Sequence, residues 1–183
     1  MNDHLGTVIN LGTFDVISSE LVVSDPGYKP GSWGTGRLKN VRLGCWNAGI
    51  SMANLDDWGD RIAMLSIWHE NAPEKDELNR HEADFVVGVD SGQAGFFDAA
   101  HYRDSSVIDT APARTWSDSE SVWYDHCCEI TLSSMQAGIL PFGTVSASGF
   151  GDGCYSCFYY TNSVGEILRA EIVFITEDEW EDY

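Results

Sequence analysis

The chain is punctuated from end to end: short runs of β-branched and aromatic residues are each cut off by Gly, Pro, Asn or Asp, the pattern of strands separated by turns. Leu21, Val22 and Val23 run into Ser24-Asp25-Pro26-Gly27, where proline presets φ and glycine suits the positive φ of a type II turn. Residues 61–69 put Ile62, Met64 and Trp68 on one face and Ala63, Leu65 and Ile67 on the other, which predicts a strand covered on both sides. Residues 41–46 alternate more loosely, and 85–89 and 144–147 are short apolar runs that end in Asp-Ser-Gly and Ser-Gly. Residues 154–160 and 167–175 flank a segment with Asn162 and Gly165, the chemistry of a hairpin turn. Together these runs predict a mainly β fold, an antiparallel sandwich or partly open barrel of about seven to nine strands with one or two peripheral helices.

Helical signal is thin. Trp123, Cys127 and Ile130 stand at helical spacing within 119–133, with Asp118 or Ser119 available as N-cap, and a shorter helix is expected over 98–103. The polar stretch 71–81 and the Ser-, Thr-, Pro- and Ala-rich stretch 104–117 read as exposed loops. The whole chain, 1–183, reads as one domain ending in an acidic tail at 176–183.

Charge narrows the function classes. Ten Lys and Arg face 29 Asp and Glu, a formal net charge of −19, which repels nucleic acid and anionic lipid and attracts a protein with a basic surface. Direct nucleic-acid or membrane binding is therefore not expected. Hydrophobic residues at 43% supply ample core. The first residues carry no basic-then-apolar signal, and no window approaches the roughly 18 apolar residues of a membrane span. Five cysteines, an odd number, fit reduced thiols in a cytoplasm.

Candidate chemistry is sparse. Cys154 and Cys157 stand three apart in a predicted strand and so point to opposite faces, and Cys127-Cys128 lacks a spacer, which argues against zinc. No Gly-x-Ser-x-Gly elbow is present. His69 ends an apolar strand and reads as a hydrogen-bonded structural histidine, while His4 and His126 have no recognisable partner. The remaining group is acidic: Asp90-Ser91-Gly92 with Gly95-Phe96-Phe97-Asp98 and His101 form one Gly-rich loop, and Phe150-Gly151-Asp152-Gly153, followed by Tyr155, forms another. If the loops meet, Asp90, Asp98 and Asp152 can hold a hard cation or act as paired carboxylates, with His101 and Tyr155 completing a ligand site. The competing reading is that Asp and Gly are there because turns need them. No cofactor is expected.

Leu21-Val22-Val23-Ser24-Asp25-Pro26, Gly59-Asp60-Arg61-Ile62-Ala63-Met64, Val89-Asp90-Ser91-Gly92, Gly95-Phe96-Phe97-Asp98 and Ser148-Gly149-Phe150-Gly151-Asp152-Gly153-x-Tyr155 occur in this order. They resemble the successive motifs of the family known as domain of unknown function 4241, over about residues 21–175. The resemblance implies a bacterial or phage-borne intracellular domain, with no activity to assign to any residue. Three functions follow from the residues as expectations: a non-catalytic acidic binding protein, such as an immunity protein or an antagonist of a defence or toxin system; a nucleic-acid mimic that inhibits a basic nucleic-acid-binding protein; or a hydrolase or metal-dependent enzyme built on Asp90, Asp98 and Asp152.

Overall fold

The computed structural model describes residues 7–55, 57, 59–109 and 121–176. Among these residues eleven strands and one α-helix follow one another: β1 (Ile9–Val16), β2 (Glu20–Ser24), β3 (Gly36–Lys39), β4 (Gly44–Asn54), β5 (Asp60–His69), β6 (Asn79–Val89), β7 (Gln93–Asp98), α1 (Val122–Thr131), β8 (Ala137–Leu140), β9 (Gly143–Ala147), β10 (Gly153–Thr161) and β11 (Ile167–Val173). Short 3-10 turns cover Lys75–Glu77 and Ser105–Val107. The strands form two antiparallel sheets, a six-stranded one in the order β1-β4-β5-β11-β10-β6 and a five-stranded one in the order β3-β2-β7-β9-β8. Of the two expected mainly β architectures, sandwich and partly open barrel, the fold is the sandwich, with eleven strands where seven to nine were expected.

The sheets face each other across one core. Leu21, Val23, Trp46, Ile50, Leu65, Ile67, Val87, Phe96, Ala170 and Ile172 all belong to it. A second, smaller core lies on the outside of the five-stranded sheet, because a strand presents alternate residues to opposite faces. Val22, Phe97, Leu140 and Val145 point away from the first core and pack under Trp123 and Cys127 of α1 and under Tyr102. The helix is capped by Ser121, whose side chain accepts from the Tyr124 amide at 3.2 Å.

Several expectations need correction. The N-cap is Ser121; Asp118 and Ser119 lie outside the described residues, as do the tail from 177 on and residues 110–117. Asp98 ends β7 and residues 99–103 make turns rather than a helix, because the Asp98 side chain takes up the Ala100 amide at 2.9 Å. The turn after β2 is closed by Tyr28 N–H to Asp25 C=O at 3.1 Å. Gly27 does not adopt positive φ, so the turn is not type II; the Asp25 carboxylate holds the Gly27 amide at 2.7 Å and sets the geometry instead. Gly95-Phe96-Phe97-Asp98, expected as loop, is β7, and the strand ending at Val89 starts ten residues earlier, inside the stretch expected to be loop.

His69 is the structural histidine that its position predicts. It is buried, its Nδ1 accepts from the Asn71 amide at 3.1 Å, and its Nε2 lies 3.1 Å from the Leu43 carbonyl. Those partners match the tautomer that carries its proton on Nε2.

Candidate binding groove at the open edge of the sandwich

Each acidic motif residue has a definite place. Asp98 is fully buried at the end of β7, where its carboxylate accepts the amides of Ile17 and Ser18 at 2.7 and 2.9 Å as well as that of Ala100. It ties the β1–β2 turn to the sheet. His101, in the following turns, stacks on Phe142 with centroids 4.0 Å apart and reaches Asp104 at 3.2 Å. The Asp104 carboxyl is held below its ordinary pKa, first by the Ser106 hydroxyl and amide and then by His101.

Asp90 lies beyond the other end of β7 and accepts the phenolic proton of Tyr28. Since β7 has six residues at about 3.3 Å per step, roughly 17 Å separates its ends. Two ligands of one hard cation lie within about 5 Å of each other. The structure therefore does not bring Asp90 and Asp98 together. Asp152, exposed, shares the Asp90 end, because Gly153 pairs with Val89 in the β6–β10 ladder. Tyr155 closes the turn before β10, with its hydroxyl 2.7 Å from the Gly151 carbonyl and 2.9 Å from that of Ser148. Among the described residues no group of three or more His, Cys, Asp or Glu is placed to hold a metal ion. Cys157 is buried in the core while Cys154 is exposed, on opposite faces of β10.

The motif residue that organises this end is Asp25, which the residue pattern presented only as part of a turn. Its buried carboxylate accepts four donors: the amides of Gly27, Asp90 and Ser91 at 2.7, 2.9 and 2.7 Å, and the Ser91 hydroxyl at 2.7 Å. The β2–β3 loop is thereby locked to the β6–β7 turn. Tyr102 adds a hydroxyl within 2.7 Å of the Tyr28 carbonyl and 3.1 Å of the Asp25 carbonyl, and Arg103 donates to the Pro26 carbonyl at 2.5 Å.

That lock fixes one wall of a groove. Sheet order leaves β3 and β6 as neighbouring free edges, one from each sheet, and the loop before β3 crosses the end of β6, where the Gly88 amide bonds to the Gly34 carbonyl at 2.9 Å. Gly36 permits the approach: a Cβ there would lie 2.0 Å from the Phe85 ring. On one side of Phe85 a groove of about 690 Å³ is bordered by Arg37, Lys39, His81, Tyr159 and Thr161. On the other a groove of about 570 Å³ is bordered by Trp33, Glu82, Val86 and Ser156. The two share Thr35, Ala83, Asp84 and Phe85 and so run on along β6. Trp33 is 70% exposed and Val86 47%. His81 stacks on Tyr159 at 5.0 Å and bonds to the Thr161 hydroxyl at 3.0 Å. Sequence reasoning missed Trp33, Arg37, Lys39 and Phe85; the available signal was the alternation of Gly36-Arg37-Leu38-Lys39, buried and exposed in turn, which marks a half-covered strand.

The phenols around the lock and on β10 titrate late. Tyr28 is pushed up to about 12, first by its bond to Asp90, and Tyr102, Tyr124 and Tyr160 reach about 12 chiefly through burial. An unfolded tyrosine titrates near 10, so the folded state holds these protons more tightly. Stability from these groups is fully present below pH ~10 and lost as pH rises from ~10 toward ~12. Absorbance at 295 nm is expected to show these four phenolates appearing together with loss of the near-ultraviolet dichroism; independent titration of all tyrosines near pH 10 in folded protein would contradict this.

The fold and its loop lock define a class: a two-sheet antiparallel sandwich with buried carboxylates holding its connections and an open, grooved edge. Residues 14–172 match the family model described as "Protein of unknown function (DUF4241)", and the chain belongs to that family. No curated protein and no solved structure matches the chain. No helix among the described residues is long and apolar enough to cross a membrane.

Proposed function

We propose that the protein is a non-catalytic, strongly acidic binding protein that takes an extended segment of a basic partner protein along the β6 edge, as an immunity protein or an antagonist of a toxin or defence system would. The observation that carries this reading is the free edge itself. β6 is eleven residues long, its first eight residues are mostly exposed, and among the described residues one backbone bond, Gly88 to Gly34, occupies its outer side. Unpaired strand edges accept another chain by main-chain pairing, with flanking grooves reading alternate side chains.

Charge selects the partner. Glu82 and Asp84 stand exposed on β6, in a chain of net charge −19, so a second copy is repelled and a cationic strand is drawn in. Of the nine Lys and Arg among the described residues, five are engaged within the fold: Arg37 with Glu20, Arg42 with Glu166, Lys75 with Glu171, Arg103 with the Pro26 carbonyl and Arg169 with the Pro73 carbonyl.

A synthetic peptide alternating lysine and valine provides the test, with the glutamate–valine counterpart as control. Fluorescence anisotropy at low salt should show binding of the first alone, and hydrogen exchange should show protection of the β6 amides. The double variant Glu82→Lys, Asp84→Lys is expected to weaken binding about tenfold or more, whereas Asp15→Lys on β1, at the opposite edge of the same sheet, leaves it within about twofold apart from the screened long-range charge effect. Equal loss from both, or protection elsewhere, would refute the site.

A further inference from the structure

We infer a second, unrelated site on the outer face of the six-stranded sheet: a small pocket for a compact apolar carboxylate. Antiparallel register places Asn10, Gly49, Ser66 and Glu171 side by side across β1, β4, β5 and β11. Glycine at position 49 leaves the row open, since Val8 and Trp68 already press on the space that a Cβ would fill, at 2.5 and 3.2 Å. The result is a pocket of about 260 Å³ lined by Val8, Asn10, Met64, Ser66, Trp68, Lys75 and Arg169. Its body is apolar, from Val8, Met64 and Trp68.

The polar groups of the pocket are nearly all donors. Ser66 is 94% buried by its 6% relative exposure, and its hydroxyl has no partner. Glu171 is buried and its carboxylate is already taken by Lys75 and by the Tyr160 hydroxyl at 2.8 Å. The Asn10 carbonyl oxygen is taken by the Gly12 amide at 2.8 Å, which leaves its NH2. Arg169 spends Nε and Nη2 on the Pro73 carbonyl and keeps Nη1, and Lys75, whose side chain is about half exposed, has one carboxylate partner for its Nζ. A buried donor without an acceptor is costly, and two cations against one carboxylate leave the rim positive. The complement is an acceptor with negative charge at one end and an apolar body of few atoms at the other. Two of the chain's ten basic residues, Lys75 and Arg169, are gathered at this pocket.

The test uses benzoate, benzamide and benzylamine, which share a shape and differ in charge. Titration of the whole protein is followed by amide and indole NMR, with the Trp68 indole assigned through Trp68→Phe. Benzoate is expected to shift the Trp68 indole saturably, benzamide to bind about tenfold more weakly, and benzylamine not to bind. Because the Ser66 hydroxyl makes no bond in the free protein, Ser66→Ala should leave the melting temperature unchanged or raised while weakening benzoate about fivefold to tenfold. A nonsaturable response, equal binding of all three, or unchanged benzoate affinity in Ser66→Ala overturns the inference; none of these outcomes touches the β6 edge, which is probed by a different ligand.

Discussion

Replacing Asp25 with alanine is expected to cost about 3–5 kcal/mol, the range for stripping the partner from a buried charged network. Four donors, the amides of Gly27, Asp90 and Ser91 and the Ser91 hydroxyl, converge on this one carboxylate, and each buried donor left unpaired carries its own desolvation penalty. At about 2–4 °C per kcal/mol for a chain of this size, the melting temperature should fall by roughly 6–20 °C. Asp25→Asn keeps one acceptor oxygen and turns an NH2 toward the remaining donors, so it should recover only part of the loss. The local consequence matters more for function. Trp33, Gly34 and Thr35, which border the groove beside β6, hang from the loop that Asp25 anchors, so hydrogen exchange in 25–35 should rise well before the global transition and binding at the edge should weaken with it. A melt within about 1 °C of the unmodified protein would show that the lock is not structural.

Strands covered on both faces were readable because burial dictates their composition. β5, β9 and β11 are of this kind, and Asn162 with Gly165 marked the β10–β11 hairpin turn through its side-chain and positive-φ requirements. The edges were not readable. β1 is largely exposed and bulged between Asn10 and Gly12, and β3 offers four residues of which two are cations. β7 was masked by its own packing: Gly95 resembles a turn residue, yet its glycine is required because a Cβ would meet the Phe97 ring at 2.4 Å and the Thr144 carbonyl at 2.3 Å.

The same distinction separates what was legible in the site. That Asp in these motifs serves the backbone was inferable from turn chemistry, and Asp25 and Asp98 do so through seven donor contacts between them. The groove was beyond local reading, since β3 and β6 are separated by some forty residues and become neighbours only through the order of two sheets. The alternation in β3 marks a half-covered strand, but nothing local to it names β6 as its neighbour.

Trp123→Ala is the second large effect, about 3–5 kcal/mol for an emptied aromatic site. A helix of ten residues is too short to persist alone, and Trp123 is its principal anchor, with its ring edge-on to Phe97 and Tyr102 at 4.9 and 5.3 Å. Truncation should therefore free α1 while the core between the sheets stays closed, giving fast amide exchange in 122–131 and slow exchange in β5. Tyr102 also carries the hydroxyl that supports the carbonyls of Tyr28 and Asp25, so loosening its ring reaches the loop lock. Urea melts of the double variant Asp25→Ala, Trp123→Ala should accordingly fall short of additivity by about 0.5–3 kcal/mol, the range for residues sharing a network. Leu65→Ala, in the core between the sheets, should add to Asp25→Ala within about 0.5 kcal/mol. Additivity for both pairs would mean that the outer layer and the groove wall are held independently, and the aromatic cluster would then be only a cover for the sheet.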